Sequence, residues 1–293
     1  MNDIRDAIFD TIEKKMSKDK RIILLSVDQG SFGYQNIKRK FKNRCFNLGI
    51  SEQNIISVAS GLSLEGKIVF VYGISSFLYS RAYEQIKLNL ASLASSVCLL
   101  ASGPGYCYAS DGPSHYSLED INLFNALPNF KIFSPYDIKS GEKSIDDFIK
   151  NKKPTYIRVD KGSYEVINKQ NNEFFFINNK GYKKLIISHG FFGKELYKNR
   201  ELIKRRNISI LLLSKLKPLD EKKINLIIKK YNKIAFIDES FLNSSFGLYL
   251  SYLFKIKNIK IYSSKNEFFK KSGNREFIHK SNDLDILKIL HRF

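Results

Sequence analysis

The segment that decides the fold reads Phe46-Asn47-Leu48-Gly49-Ile50-Ser51-Glu52-Gln53-Asn54. Apolar residues recur behind it at helical spacing as far as Leu62, so we predict a helix that Ser51 caps and that carries Glu52 in its first turn. The strand-like run 68–72 follows directly. A carboxylate in this position is either a favourable charge at the start of a helix or a proton-handling group. Because Glu52 precedes a continuous apolar strand, we expect it to be partly buried, and burial would raise its pKa.

The same alternation of strand-like runs and amphipathic segments extends along the whole chain. The runs that read as strands are 22–27, 68–72, 97–101, 130–133, 155–159, 185–188, 208–213, 234–237 and 259–262. This order is typical of an α/β fold in which mainly parallel sheets are flanked by helices. The alternation of strand-like and amphipathic segments is lost around the short run 174–177. We therefore expect two such domains, 1–165 and 183–293, joined by a linker at 166–182.

The composition favours a globular protein of a reducing compartment. The chain has 293 residues, of which 43% are hydrophobic, and this is enough for a sizeable core. No apolar run approaches the roughly 20 residues that cross a bilayer, and the start lacks the apolar stretch of a signal peptide, so we expect a cytoplasmic protein that does not enter a membrane. Cys45, Cys98 and Cys107 show no metal-binding spacing, which argues against structural zinc, and we expect no metal ligands on this chain.

The net charge of +20 raises the question of nucleic-acid binding, but its distribution argues against that function. The first 160 residues carry 21 basic and 17 acidic side chains, and the remaining 133 carry 28 and 12. The basic residues of the second part are scattered in pairs rather than gathered in one stripe. We therefore interpret the charge as solvated surface and expect no nucleic-acid partner.

A second informative segment, Asp111-Gly112-Pro113-Ser114-His115, lies in the loop behind the strand that ends near Ala101. Ligands of open α/β sheets bind in loops of this kind, at the carboxyl ends of strands. A histidine near a carboxylate can donate to a developing oxyanion or move a proton near neutral pH. The spacing alone leaves open the alternative of an ordinary surface loop.

Aromatic residues follow the strand-like run 68–72. Phe77 and Tyr83 repeat at helical spacing with Ile86, and such a stripe is usually part of the core. An aromatic ring at a strand end can also offer a stacking face for a flat heterocycle. The pattern alone favours the core.

Taken together and in order, these segments resemble the carboxy-terminal half of transketolase, in particular the smaller chain of split transketolases. The resemblance covers nearly the whole chain and rests on the short motifs at 47–54, 76–78, 81–85, 111–115, 118–120, 126–129, 134–137, 156–158 and 217–220. It implies a thiamine-diphosphate-binding fold that forms a pyrimidine-binding domain. A transketolase C-terminal domain would follow it and would act as a scaffold rather than a site.

The resemblance also implies a set of cofactor-binding residues. The glutamate that matches Glu52 hydrogen-bonds N1′ of the aminopyrimidine of thiamine diphosphate, which favours the imino tautomer that removes the thiazolium C2 proton. Phe77 matches the aromatic residue that stacks on the pyrimidine, and Tyr83 would be a further wall of that pocket. Asp28 matches an aspartate near the cofactor.

The implied substrate-binding residues follow in the same way. His115 and Asp111 match groups that contact the oxygens of the sugar, and His115 would stabilise the oxygen that becomes anionic during carbon–carbon cleavage. Glu52 and His115 are therefore the implied catalytic residues. Where the family often binds the sugar phosphate with an arginine, this chain has Lys161, which keeps the charge but loses the bidentate fork. Arg158 is the alternative candidate, although an arginine on a strand is more often a structural ion pair.

One motif of the family is absent from the sequence. The family anchors the cofactor's diphosphate and Mg2+ with a Gly-Asp-Gly motif that is followed by an asparagine, and this chain has no such motif. In the family the motif belongs to the amino-terminal half. The resemblance therefore implies an N-terminal transketolase subunit as a partner, which supplies the Mg2+ ligands and completes a site at the interface of an α2β2 heterotetramer.

The leading interpretation is a thiamine-diphosphate-dependent transferase that moves a two-carbon ketol unit between sugars or sugar phosphates. A β-type subunit of a 2-oxo acid dehydrogenase, an enzyme that resembles 1-deoxyxylulose-phosphate synthase, and another thiamine-dependent transferase of specialised sugar biosynthesis are alternatives. The runs 111–115 and 127–129 favour the transketolase side. A non-catalytic binding protein with the same fold is the alternative from a different class.

Overall fold

The computed structural model describes residues 3–167, 173–178, 181 and 183–293. Helices and strands alternate along these residues, as the sequence predicts. The strands are β1 (Ile22–Ser26), β2 (Cys45–Asn47), β3 (Ile68–Ile74), β4 (Val97–Ser102), β5 (Lys131–Phe133), β6 (Thr155–Val159), β7 (Phe174–Ile177), β8 (Lys184–His189), β9 (Ile208–Leu213), β10 (Lys215–Lys217), β11 (Lys233–Phe241) and β12 (Ile259–Ser264). The α-helices are α1 (Ile4–Lys18), α2 (Phe32–Lys40), α3 (Glu52–Leu64), α4 (Ser75–Gln85), α5 (Asp120–Asn125), α6 (Ile138–Asn151), α7 (Gly190–Lys198), α8 (Arg200–Arg205), α9 (Glu221–Ile228), α10 (Phe246–Leu253), α11 (Arg275–Ser281) and α12 (Ile286–Arg292).

The first sheet has the strand order β10, β5, β6, β4, β3, β1, β2. All neighbours in it are parallel except β10, which runs antiparallel to β5. Helices α1, α2 and α6 pack together, as do α3 and α4. Strand β4 is buried along its whole length, which explains why the sequence shows a continuous apolar run there rather than an alternating one.

The parallel register brings four chain segments to one edge of the first sheet. Ser26 at the end of β1 pairs with Asn47 of β2 and with Tyr72 of β3, and Tyr72 pairs with Leu100 of β4. The segments behind these four strands therefore start side by side. They contain Asp28, the start of α3, the start of α4 and the loop 103–117, which we call the site loop.

The second sheet has the order β12, β11, β8, β9, β7 and is parallel except for β7. Strand β7, the short apolar run Phe174–Ile177, lies within the segment expected to be a linker, and the domain boundaries stay a prediction. This apolar run pairs antiparallel with β9, where it covers the edge of the sheet. Residues 168–172, 179–180 and 182 of the expected linker lie outside the described residues.

The α/β fold class with two mainly parallel, helix-flanked sheets is confirmed. The two sheets are also connected, since β10 of the carboxy-terminal part pairs with β5 of the first sheet. Within the part of the chain that the structure describes, no helix is long and apolar enough to cross a bilayer.

Candidate active site

Three of the predicted site residues lie together at the carboxyl edge of the first sheet. Glu52 is the first residue of α3, Phe77 lies in the first turn of α4, and His115 lies in the site loop. The rings of Phe77 and His115 meet edge to face, with their centroids 4.9 Å apart. Glu52 joins them through Arg81, which contacts both Glu52 and Phe77.

The expected burial of Glu52 is confirmed. Its side chain is 7% exposed, and Arg81 Nη1 donates a hydrogen bond to Glu52 Oε1 at 2.8 Å. The raised pKa expected from the sequence stays a prediction.

The expected side-chain cap of α3 is wrong. Ser51 occupies the N-cap position, but its hydroxyl donates to the Leu48 carbonyl at 3.0 Å and makes no capping bond to the helix. The chain turns at Gly49, which has a φ of +73°, and this turn brings the Leu48 carbonyl within reach of Ser51. The hydrogen bond therefore stabilises the turn that precedes Glu52 rather than the first turn of the helix.

Arg81 is a member of the site that the sequence reading missed. It follows Phe77 by one helical turn on α4, and its guanidinium carbon lies 4.0 Å from the centroid of the Phe77 ring. Its side chain is 45% exposed, so it reaches Glu52 and Phe77 from the solvent side. An aromatic residue and an arginine at i and i+4 are the only signal for this contact in the sequence, and that spacing is common on exposed helix faces.

The site loop is held close to α4. The Ser76 hydroxyl donates to the Ser114 carbonyl at 3.0 Å, and Ser114 Oγ lies 3.0 Å from Nδ1 of His115. Asp111 is exposed, and its backbone N–H donates to the Tyr108 carbonyl at 3.0 Å. The structure therefore brings His115 next to Phe77 and leaves Asp111 at the solvent-facing rim of the same loop.

Tyr108 connects the site loop to the segment behind β1 and was also missed in the sequence. Its ring centroid is 6.3 Å from that of His115, and Lys161 Nζ lies 4.8 Å from the Tyr108 centroid. Gln29 Nε2 donates to the Tyr108 hydroxyl at 3.2 Å. Burial raises the pKa of Tyr108, so the phenol stays neutral and can both donate and accept. Lys161 is thus linked to His115 through the Tyr108 ring, and its role in binding a phosphate stays a prediction.

Asp28 lies at the same edge of the sheet and is exposed. Its backbone has a φ of +54°, and its N–H donates to Asn47 Oδ1 at 2.9 Å. Asn47 Nδ2 in turn donates to Asp28 Oδ1 at 3.1 Å. This reciprocal pair fixes the carboxylate at the end of β1, where an aspartate near a cofactor was expected.

Two residues that were predicted to line the substrate or cofactor site make structural contacts instead. Arg158 Nε lies 2.9 Å from Oδ2 of Asp120, and the two side chains are 5% and 0% exposed. A phosphate could not reach a guanidinium buried in this way, so the structural ion pair that the sequence left open is the observed one, and the substrate role for Arg158 is not supported. The Tyr83 hydroxyl donates to the Leu123 carbonyl at 3.0 Å and its ring packs against the apolar core, which is the core interpretation of that residue.

The chemistry of the arrangement is that of an acid–base site beside a flat apolar face. A buried carboxyl group, an aromatic ring, a histidine and a solvent-facing lysine lie along one sheet edge. Over the residues that are described, no group of three or more His, Cys, Asp or Glu side chains could hold a metal ion.

Comparison with known proteins identifies the class to which this fold and this site belong. Residues 1–166 match the sequence model of the family described as transketolase, pyrimidine binding domain. The chain therefore belongs to the transketolase family, as a chain of the C-terminal-subunit type.

Relatives of similar length carry the corresponding names. A transketolase C-terminal section from Methanocaldococcus jannaschii is 31% identical over 236 residues, which is 78% of this chain and 73% of the relative. An apulose-4-phosphate transketolase subunit from Phocaeicola vulgatus is 27% identical over 252 residues, 83% of this chain and 80% of the relative. A 6-deoxy-6-sulfo-D-fructose transketolase subunit from a Clostridium species is 25% identical over 228 residues, 75% and 71% of the two chains.

Solved structures share the fold. A split-gene transketolase, described as an inactive beta4 tetramer, superposes with a TM-score of 0.87 at 20% identity and covers 100% of this chain and 98% of that one. A transketolase mutant from Pichia stipitis gives a TM-score of 0.80 at 14% identity, with 99% of this chain and 45% of that one covered. At these identities the likeness concerns the fold alone.

Proposed function

We propose that this chain is the C-terminal subunit of a split transketolase, which binds the aminopyrimidine of thiamine diphosphate and transfers a two-carbon ketol unit between sugars or sugar phosphates. One observation carries the proposal. The flat guanidinium of Arg81 stacks on Phe77 and donates a hydrogen bond to Glu52, so these two residues are arranged to take a flat, nitrogen-bearing group. The aminopyrimidine has the same requirements, a stacking face and a carboxyl partner for a ring nitrogen.

Glu52 would share a proton with N1′ of the aminopyrimidine. Its low exposure supports this role, because a hydrogen bond between a carboxyl group and a ring nitrogen is stronger where water is excluded. Thiamine diphosphate, when bound, supplies the electron sink for carbon–carbon cleavage. Phe77 would fix the plane of the pyrimidine, and Asp28 would lie at the edge of the cofactor site.

His115 and Asp111 would bind the oxygens of the sugar. His115 is held by Ser114 on one ring nitrogen, which leaves the other nitrogen to donate to the oxygen that becomes negative during cleavage. Lys161 would bind a phosphate as a point charge, since its ammonium group rests on the Tyr108 ring beside His115.

An N-terminal transketolase subunit would complete the site. The names of the relatives, one a C-terminal section and others single subunits of a transketolase, support the need for such a partner. Carboxylate and amide oxygens for Mg2+ would come from that partner, together with the groups that anchor the diphosphate. We propose an α2β2 assembly in which the cofactor lies between the two kinds of chain.

The test uses this chain, an N-terminal transketolase subunit from the same genome, Mg2+ and thiamine diphosphate. We expect calorimetric binding of the cofactor by the pair and by neither chain alone, and ketol transfer from a ketose phosphate to an aldose phosphate by the same pair.

The variant Glu52→Gln should assemble normally and lose turnover. Glu84→Gln, which changes an exposed glutamate on α4, is the matched control and should keep its activity. If the pair decarboxylates a 2-oxo acid and transfers no ketol unit, a dehydrogenase-type function replaces the one proposed here. If Glu52→Gln turns over as fast as the wild type, the assignment of Glu52 is wrong.

A further inference from the structure

The second domain contributes a buried cluster of charged side chains next to the site loop. Arg275, the first residue of α11, has Nη2 2.6 Å from Glu239 Oε2 and Nη1 2.9 Å from Asp160 Oδ2. His279 lies one turn further along α11, with Nε2 2.6 Å from Glu239 Oε1. None of the four side chains is more than 16% exposed. Since Asp160 follows β6 of the first sheet, Arg275 joins the two domains.

Glu239 of this cluster is in contact with the base of the site loop. A Cβ atom added to Gly105 would lie 2.0 Å from Glu239 Oε2, and Gly105 has a φ of +59°, so only glycine fits at this point. The N–H of Gly105 donates to the Ser117 carbonyl at 2.9 Å, and the N–H of Ser117 donates back at 3.0 Å. These two bonds close the loop, and the closed end rests on the Glu239 carboxylate.

Residues 264–273, which precede α11, hold the rest of the site loop. Three hydrogen bonds run from the Tyr106 hydroxyl to Ser264 Oγ at 2.9 Å, from the Tyr116 hydroxyl to the Lys271 carbonyl at 3.0 Å, and from the Gly273 N–H to the Ala109 carbonyl at 3.4 Å. Between β12 and α11 this part of the chain has no helix or strand of its own. Its amino end is held by β12 and by Asn266, whose Oδ1 accepts a hydrogen bond from the Asn243 N–H at 2.8 Å, and its carboxyl end is anchored by Arg275.

We propose that the second domain is part of the active-site architecture, with Arg275 as a positioning residue that holds the site loop, through Glu239 and Asp160, where His115 can reach the substrate. The proposal deepens the proposed function and rests on it for the role of His115. The resemblance to the transketolase C-terminal domain had implied that this domain is a scaffold rather than a site.

The electrostatics of the cluster explain why one arginine has this effect. Although burial opposes it, the Arg275 guanidinium holds the pKa of Glu239 well below its ordinary value. Glu239 is therefore a buried anion, and its cation is shared with Asp160. Removing the cation would leave these two buried carboxylates with only the His279 ring and the Tyr164 hydroxyl as side-chain partners, and such a pair is relieved by moving apart or by admitting water. Either change shifts the surface on which Gly105 rests.

Backbone hydrogen exchange of the chain, followed by mass spectrometry, measures this positioning. In Arg275→Met we expect amides of the site loop to exchange about tenfold faster or more, while peptides from β4 and α4 keep their wild-type rates. Lys280→Met is the control, because it removes an exposed cation from the same helix, and it should leave the loop unchanged.

A second variant tests the proposal independently of whether Arg275→Met folds. Gly105→Ala keeps every charge of the cluster but forces the loop backbone away from Glu239, so we expect the same local rise in exchange. Unchanged loop exchange in Gly105→Ala overturns the proposal. A rise that is equal in all peptides of both variants also overturns it, because that result describes global destabilisation.

Kinetics of the assembled pair separate positioning from a merely structural role. With thiamine diphosphate, a ketose phosphate donor and an aldose phosphate acceptor, Gly105→Ala should lower kcat by about tenfold or more. Its affinity for the cofactor should stay within about twofold of the wild type, since Glu52 and Phe77 lie on other elements. A parallel fall in kcat and cofactor affinity overturns the proposal. Absence of ketol transfer by the wild-type pair rejects the proposed function instead, and the loop exchange, measured without partner or cofactor, then decides the positioning separately.

Discussion

Replacing Arg81 by methionine should make the assembled pair bind thiamine diphosphate more tightly. In the free chain the Arg81 guanidinium occupies the position that the proposed function assigns to the pyrimidine. Its carbon lies 4.0 Å from the centroid of the Phe77 ring, and its Nη1 donates to Glu52 Oε1 at 2.8 Å. The cofactor must therefore displace the guanidinium before it can occupy this position. Methionine keeps an apolar stem on α4 but has neither the charge nor the hydrogen-bond donors.

The size of the effect follows from the two contacts. An ion pair with one partner 45% exposed is screened by water, so it contributes no more than about 0.5 kcal/mol. A cation over an aromatic ring at an exposed site contributes about 0.5–1 kcal/mol. Together they amount to about 0.5–1.5 kcal/mol, which corresponds to about a two- to twelvefold gain in affinity for Arg81→Met. Lysine in this position keeps the charge but stacks less well, so Arg81→Lys should lie between the two.

Calorimetric titration of the pair with thiamine diphosphate at saturating Mg2+ measures this gain. Arg39→Met, which removes an exposed arginine from the last turn of α2, is the control for net charge. Salt screens the Arg81–Glu52 pair, so the difference between wild type and Arg81→Met should shrink as ionic strength rises. If Arg81→Met binds the cofactor more weakly than the control does, Arg81 supports the cofactor rather than competing with it, and the reasoning fails.

Two further predictions concern stability, both measured by urea denaturation. Arg158→Met should cost about 3–5 kcal/mol because it leaves Asp120 buried without its cation, and a loss below about 1 kcal/mol would contradict the ion-pair role. Burial raises the pKa of Asp238 to about 6, above the roughly 3.9 of an unfolded aspartate, so the native state keeps a proton that the unfolded chain releases. The free energy of unfolding should therefore fall as pH rises from about 4 to 6, and Asp238→Asn should lack this component. Parallel pH profiles for the wild type and Asp238→Asn would show that Asp238 is ionised in the native state.

The sequence predicted the central strands well because their surroundings are uniform. Strands such as Thr155–Val159 and Ile208–Leu213 are buried on both faces. Burial therefore favours apolar residues at successive positions, and the sequence shows a continuous apolar run. The strands that were missed are short or lie at an edge, namely β2, β7 and β10. Their pairing is decided by a neighbouring strand rather than by their own pattern, and three or four residues carry too little local signal to reveal it.

The site was predictable where a residue's role follows from its place on one element. The burial of Glu52 follows from a first-turn position beside a buried strand. The role of Arg81 could not be predicted from the sequence, because it depends on how closely α3 and α4 approach each other, and no local sequence pattern encodes that distance. Ser51 has the right residue type for a cap, but its hydroxyl bonds to the Leu48 carbonyl instead because of the turn at Gly49.

The surroundings of Glu52 are consistent with the proposed assembly with a partner chain. Ile50 and Phe46, just before it in the chain, are 75% and 43% exposed, so two large apolar side chains lie in solvent close to a buried carboxylate. Single exposed apolar residues are ordinary, but a partner that covers Ile50 would lie two residues along the chain from Glu52. A partner surface there would exclude water and so strengthen each remaining hydrogen bond. We therefore expect Glu52 to meet the aminopyrimidine only after the partner covers this edge and the cofactor displaces Arg81 from the carboxylate.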